Sequence, residues 1–217
     1  MTDPTTIVVL AKAPRPGRVK TRLCPPFTPV EAAALAEAAL CDTLAAARAT
    51  PDTIVLLALD GPRGPWCPPG TTVVAQHDGG LDRRIAGALR DAGGPAVLVG
   101  MDTPQVTPAL LAEAVDALAS PDVDTVLGPT DDGGYWIIGA RATDPRMVVG
   151  VPMSRPDTGA AQQARLDALG CRTHRLPRLV DVDTAADARR VAHEAPTTRF
   201  ARTLAALDRR APVRGGR

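Results

Sequence analysis

The sequence predicts an α/β fold, with a mainly parallel mixed sheet sandwiched between helices. Three observations carry this. Short apolar runs of Val, Leu and Ile alternate along the chain with Ala-rich segments of helical period. Aromatic residues make up only 2% of the 217 residues although 45% are hydrophobic, so the core must be aliphatic, as in sheets covered by helices on both faces. Gly and Pro clusters mark the boundaries, and no internal repeat breaks the order. The length suits a single domain over residues 1–210, with 211–217 expected as a frayed tail.

The elements follow in turn. TIVVLA (6–11) reads as a buried strand, and 28–49 as a helix with Thr28 as N-cap, Pro29 at its first position and Glu31 three residues beyond the cap. TIVLLAL (53–59) is the second strand. GPRGPWCPPG (61–70) holds too much Pro and Gly for a regular element and reads as a loop before a short strand at 71–76. A helix at 80–92, a buried strand at 95–101 and a helix at 107–119 come next. Two strands, 124–130 and 134–140, flank a tight turn. After Arg141 the pattern loosens until a helix at 158–170, an edge strand at 171–177 and two closing helices at 183–195 and 197–210.

Charge excludes some functions. The formal net charge is +1, which provides no global field for nucleic acid or an anionic membrane. Cys24, Cys41, Cys67 and Cys171 are scattered without a C-x-x-C pair, which argues against a zinc knot and a disulfide framework. No apolar run approaches a membrane span, so a cytoplasmic protein is expected, with small-molecule partners.

In a sheet of this kind, ligands bind beyond the carboxyl ends of the strands, so residues directly after strands are the informative ones. After the first strand comes AKAPRPGRVKTRL (11–23), in which Pro14, Pro16 and Gly17 hold the backbone in a loop while Lys12, Arg15, Lys20 and Arg22 supply positive charge. A phosphate or diphosphate fits; a solvated loop is the plain alternative. The P-loop and G-x-G-x-x-G patterns are both absent.

After the strand at 95–101 comes Asp102, a carboxylate costly to desolvate unless compensated. It reads as a ligand for Mg²⁺ or Mn²⁺, or else as the cap of a helix starting near Thr103. After 124–128 comes PTDDGGYWIIG, which is either an ordinary hairpin turn or a place where backbone approaches a ligand. Asp181 and Asp183 precede a helix, where Asp183 or Thr184 is an N-cap candidate and a second metal ligand is the alternative. QHDGGLDRRIAGAL opens a helix near Gly79 and Gly80, with Arg83 and Arg84 beside them.

Together these motifs, in this order over residues 6–195, resemble a bacterial glycosyltransferase-like family of the GT-A, nucleotide-diphospho-sugar transferase superfamily, related to molybdenum-cofactor nucleotidyltransferases and phospholactate guanylyltransferase. The resemblance implies a Rossmann-like GT-A sheet, a divalent ion, Mg²⁺ or Mn²⁺, and a nucleotide sugar or nucleoside triphosphate as substrate with a small-molecule acceptor. It places Ala11, Lys12, Arg15, Gly17, Lys20, Arg22, Gly80 and Arg83 at the nucleotide, Asp102 and Asp183 at the metal, and Gly133, Gly134 and Tyr135 at the acceptor. Lys20 would neutralise the leaving group, and Asp131 or Asp132 would take the acceptor proton. Three positions depart from the family pattern. Asp102-Thr103-Pro104 lacks the second carboxylate of D-x-D, Asp82 replaces a common Gly, and Met153 replaces a common Trp. Metal-dependent glycosyl transfer is the leading expectation; nucleotidyl transfer with pyrophosphate release and a non-catalytic nucleotide-binding module are the alternatives.

Overall fold

The apolar runs become seven strands of one sheet: β1 (Thr5–Lys12), β2 (Thr53–Asp60), β3 (Thr72–Ala75), β4 (Ala96–Gly100), β5 (Thr125–Pro129), β6 (Tyr135–Ala140) and β7 (Thr173–Arg175). The structure, a computed structural model, describes residues 4–210; the expected tail at 211–217 lies outside them. The Ala-rich segments become α1 (Pro29–Ala49), α2 (Leu81–Asp91), α3 (Pro108–Ala119), α4 (Thr158–Ala168), α5 (Ala185–Glu194) and α6 (Arg199–Arg210). Every strand and helix expected from the sequence appears. Thr28 caps α1 in a full capping box: its hydroxyl accepts from Glu31 N at 3.3 Å, while the Glu31 carboxylate accepts from Thr28 N at 2.8 Å.

Strand order is β3-β2-β1-β4-β6-β5-β7. All neighbours pair in parallel except those of β6, which runs antiparallel to both β4 and β5. The sheet is therefore mixed and mainly parallel, and β7 is an edge, as expected. From β1 the chain moves to β2 on one side and later to β4 on the other. That switch opens a crevice beyond the carboxyl ends of β1 and β4. Because β6 runs the opposite way, its first residue, Tyr135, lies at the same end.

Alternation along β1 divides the core. Ile7, Val9 and Ala11 join Ala36, Leu40 and Leu44 of α1 and Leu111 and Ala114 of α3 on one face. Val8 joins Ile85 and Leu89 of α2 and Leu166 of α4 on the other. A third cluster lies outside the sheet layers, where Ala32, Leu35 and Ala39 of α1 meet Val191 of α5 and Phe200 and Leu204 of α6. Helix α1 is thus buried on two sides, which accounts for alanines all around it: small side chains let the sheet and α6 approach together. Among the described residues no helix is long and apolar enough to cross a membrane.

Candidate active site

A cavity of about 820 Å³ opens at the crevice between β1 and β4. This lies within the usual size range of small-molecule sites. Its walls bring together Ala11 and Lys12 from the end of β1, Lys20 and Arg22 from the following loop, Asp102 after β4, Asp132 and Gly134 before β6, Tyr135, and Asp183 before α5.

Lys20 is the centre of this arrangement. Its Nζ lies 2.8 Å from Asp102 Oδ1 and 3.5 Å from Asp183 Oδ1, and it donates to the Val182 carbonyl. The side chain is only 8% exposed. The backbone at Lys20 is left-handed, with φ 48°, a region that a residue with a Cβ seldom occupies; it leads into a short 3₁₀ turn, Thr21–Leu23. Arg22, on that turn, reaches Asp183 Oδ2 at 3.0 Å.

Local geometry decides between the alternative readings of the acidic residues. Helix α3 begins at Pro108 under a Thr107 cap, so Asp102 does not cap it and its carboxylate faces Lys20. Helix α5 is capped by Thr184 with Asp187, which leaves Asp183 free for the cavity. Val182 N donates to Asp102 O at 2.8 Å and Gln105 Nε2 donates to Val180 O at 2.5 Å, tying the acidic segment to the end of β4.

The DDGG segment is a hairpin turn and also a wall of the cavity. Thr130 N donates to Gly134 O at 3.1 Å, and Asp132 Oδ1 accepts from the Thr130 hydroxyl at 2.5 Å and from Gly134 N at 2.9 Å. Asp131, its neighbour, points elsewhere: it pairs with Arg190 at 2.7 Å and does not line the cavity. Of the two residues expected as the base, only Asp132 lines the cavity.

Asp132, Asp181 and Asp183 each present an oxygen within 4.8 Å of the others. Burial first, then the charges of Asp132 and Asp183, push the Asp181 carboxyl up to about 6, while Lys20 pulls it the other way. Three hard oxygen donors so placed suit a divalent cation. Of the two carboxylates expected at a metal, Asp183 is in this group and Asp102 is not; Asp181 and Asp132 complete it. Asp181 followed no strand, so the rule of strand ends could not select it; its place comes from the contacts of residues 180–182.

Several expected nucleotide residues lie outside the cavity wall. Arg15 and Gly17 sit in the exposed bend before Arg18, which does line the cavity. Gly80 is the N-cap of α2, and it is Gly79 that lines the wall. Arg83 is exposed, its side chain lies against Gly79, and it does not line the cavity. One residue on, about 100° around the helix, Arg84 faces the cavity and holds Asp60 at 3.1 Å and Gly79 O at 3.1 Å. Gly133 is not a lining residue either. Asp82, a departure from the family pattern, accepts from Gly150 N at 2.9 Å, a bond that lowers its pKa and turns it away from the cavity. Met153 lines the cavity, where the Tyr135 hydroxyl donates to its sulfur at 3.8 Å. Burial raises the Tyr135 phenol well above its usual range, keeping it a neutral donor.

Gln76 and Thr103 are among the lining residues that the sequence motifs did not single out. Gln76, directly after β3, donates to the carbonyls of Ala11 at 2.8 Å and Ala58 at 3.1 Å, closing the ends of β1 and β2. Its position after a strand is the signal that could have found it. Thr103 is 2% exposed and its hydroxyl has no protein partner.

Residues 30–155 match the family described as "Uncharacterized protein conserved in bacteria (DUF2064)". The chain belongs to the DUF2064 family. Among solved structures, this DUF2064 chain is similar to a protein from Desulfovibrio desulfuricans provisionally assigned as a nucleotide-diphospho-sugar transferase, at 25% identity and TM-score 0.85, over 96% of this chain and 95% of that one. It is similar to Rv0371c from Mycobacterium tuberculosis in complex with manganese, at 26% identity and TM-score 0.54, over 89% and 100% of the two chains. A nucleotidyl transferase from Methanothermobacter shares the fold at 16% identity and TM-score 0.58, over 93% and 99%. No curated protein gives a significant match. The DUF2064 chain thus has the α/β, Rossmann-like fold of nucleotide-diphospho-sugar transferases and nucleotidyltransferases. Its matched family segment holds Asp102 and Asp132, whereas Lys20, Asp181 and Asp183 come from outside it.

Proposed function

We propose that this protein is a nucleotide-using transferase that moves a glycosyl group from a nucleotide-diphosphate sugar to a hydroxyl of a small acceptor. The observation that carries this reading is the convergence of Lys20, Asp102, Asp183 and Asp132 on one cavity, with Asp132 and Asp183 oxygens within 4.8 Å of each other. In the reaction, the acceptor oxygen forms a bond to the anomeric carbon as the bond from that carbon to the diphosphate oxygen breaks. The nucleoside diphosphate leaves with the electron pair.

Lys20 neutralises charge that grows on the leaving diphosphate, helped by Lys12 and Arg22. Asp132 takes the acceptor proton. Its Oδ1 is held by the Thr130 hydroxyl and Gly134 N, which fixes the carboxylate for that transfer. Asp181 and Asp183, with Asp132 beside them, would hold a divalent ion, Mg²⁺ or Mn²⁺. When bound, such an ion supplies further positive charge to the diphosphate. The manganese complex of Rv0371c supports this assignment.

A second reading, nucleotidyl transfer, draws on the number of cations at the wall: Lys12, Arg18, Lys20 and Arg22 exceed what one diphosphate needs. There the acceptor oxygen attacks the α-phosphorus and pyrophosphate departs. Incubation with a panel of nucleotide sugars and nucleoside triphosphates, with Mn²⁺ and a pool of small acceptors, separates the two. Nucleoside diphosphate released from a nucleotide sugar supports the first; pyrophosphate released from a triphosphate replaces it with the second. Release of neither sets both aside.

A further inference from the structure

We infer that Lys20 couples the binding of a divalent ion to the binding of a polyphosphate, acting as a shared counter-cation for the acidic cluster and for the phosphate chain. The inference rests on the reading above, that the cavity takes both.

Asp183 belongs to two groups at once. One of its oxygens lies within 4.8 Å of ligand oxygens from Asp132 and Asp181, and Oδ1 lies 3.5 Å from Lys20 Nζ. The same ammonium is 2.8 Å from Asp102 Oδ1. A dication held by Asp181 and Asp183 therefore shares a carboxylate with Lys20 and repels its ammonium at short range, where solvent screening is weak because the lysine is nearly buried. Lys20 is then drawn toward phosphate oxygens in the cavity it lines. Conversely, a polyphosphate that engages Lys20 leaves Asp102 and Asp183 undercompensated and improves the cluster for a dication. Arg22 cannot replace Lys20 here, since its side chain is 76% exposed and its pair with Asp183 is screened by water.

Linkage requires the effect to be reciprocal: each ligand raises the affinity for the other by the same factor. The left-handed backbone at Lys20 agrees with a segment held by its side-chain contacts rather than by local preference.

The test measures Mn²⁺ binding by the electron paramagnetic resonance of the free aquo ion, alone and with UDP-glucose or CTP as probe, the binary Mn²⁺–nucleotide complex being measured separately and subtracted. The wild-type protein is expected to bind Mn²⁺ about tenfold more tightly with the probe. Lys20→Met is expected to bind Mn²⁺ alone several-fold more tightly than wild type and to lose most of the coupling, keeping only what the ion's direct attraction for the diphosphate supplies; Lys20→Arg, which keeps the charge, is expected to retain more of it. A wild-type protein that binds both ligands independently overturns the inference but leaves the proposed function intact, as does a Lys20→Met variant with unchanged or weaker Mn²⁺ affinity. A wild-type protein that binds neither ligand overturns both. Should Lys20→Met fail to fold, Lys20→Gln takes its place in the same measurement, because the ion's own attraction for the diphosphate also couples the two ligands in the wild type.

Discussion

Lys20 Nζ lies 2.8 Å from Asp102 Oδ1, joining the loop after β1 to the end of β4 across the mouth of the cavity. The two side chains differ in exposure, 8% against 44%. Since the carboxylate faces water, the pair stabilises the fold by at most about 1 kcal/mol. Asp102→Ala is therefore expected to lower Tm by only about 2–4 °C while cutting turnover about 100-fold or more. Calorimetry beside a product-release assay checks this. A large loss of Tm with turnover preserved would make Asp102 a structural residue.

Asp132 and Asp181 are assigned different tasks, and isosteric amides separate them. Asp132→Asn is expected to reduce kcat by about 10²–10⁴ with a smaller effect on Mn²⁺ affinity. Asp181→Asn should weaken Mn²⁺ binding about tenfold or more. The reverse pattern would exchange the two roles.

The Asp181 carboxyl also predicts a pH dependence. Its folded pKa, about 6, lies above its ordinary 3.8, so the folded state favours the proton. The stability this gives is present in full below about pH 4 and is lost as pH rises through about 6. Asp181→Asn, which cannot ionise, should melt higher than wild type at pH 7 in chelator, and the difference should shrink toward pH 4. Mn²⁺ should bind wild type more tightly as pH rises through 6. Thermal melts from pH 4 to 8 with EDTA or Mn²⁺ measure both; a difference in Tm that does not vary with pH would refute the assignment.

Gly133 holds the turn against the loop at Pro156. Its φ is +90°, and a Cβ there would stand 1.8 Å from the Pro156 carbonyl oxygen. Gly133→Ala is expected to destabilise by about 2–4 kcal/mol and to impair nucleotide turnover, because the turn carries Asp132. Gly93 has φ +73° with nothing within 4 Å, so Gly93→Ala should cost only about 1 kcal/mol and leave turnover unchanged. Urea melts of the two variants give the comparison, and equal effects would show that backbone conformation, not contact with Pro156, sets the loss.

Thr103 faces the cavity with a buried hydroxyl that has no protein partner. An unmet group of this kind costs about 1–3 kcal/mol. Thr103→Val should raise the Tm of the ligand-free protein and weaken nucleotide binding about tenfold, whereas Thr103→Ser keeps the affinity. A drop in Tm for the valine variant, with binding unaltered, would place the hydroxyl outside ligand recognition.

How far the sequence could be read depended on distance along the chain. Thr28 and Glu31 cap α1 through bonds three residues apart, and Pro29 has its φ set by its own ring, so this helix start was legible residue by residue. The strands were legible for a similar reason, since burial on both faces leaves unbroken apolar runs. The rule that ligands sit beyond strand ends then led to Lys20, Asp102 and Asp132. It went astray where two like residues adjoin. Asp131 or Asp132, and Arg83 or Arg84, differ only in direction, and direction is set by a turn hydrogen bond or by 100° of helix rotation.

The sequence by itself determined the order of strands and helices, their caps and the supply of cations and carboxylates at strand ends, because those depend on local periodicity and on bonds a few residues long. The tertiary structure decided that β6 inserts between β5 and β4, that α5 and α6 cover the outer side of α1, and that Asp181 enters the cluster. Each of these follows from pairings between distant segments, such as Val182 N with Asp102 O at 2.8 Å, which form only when the chain closes on itself.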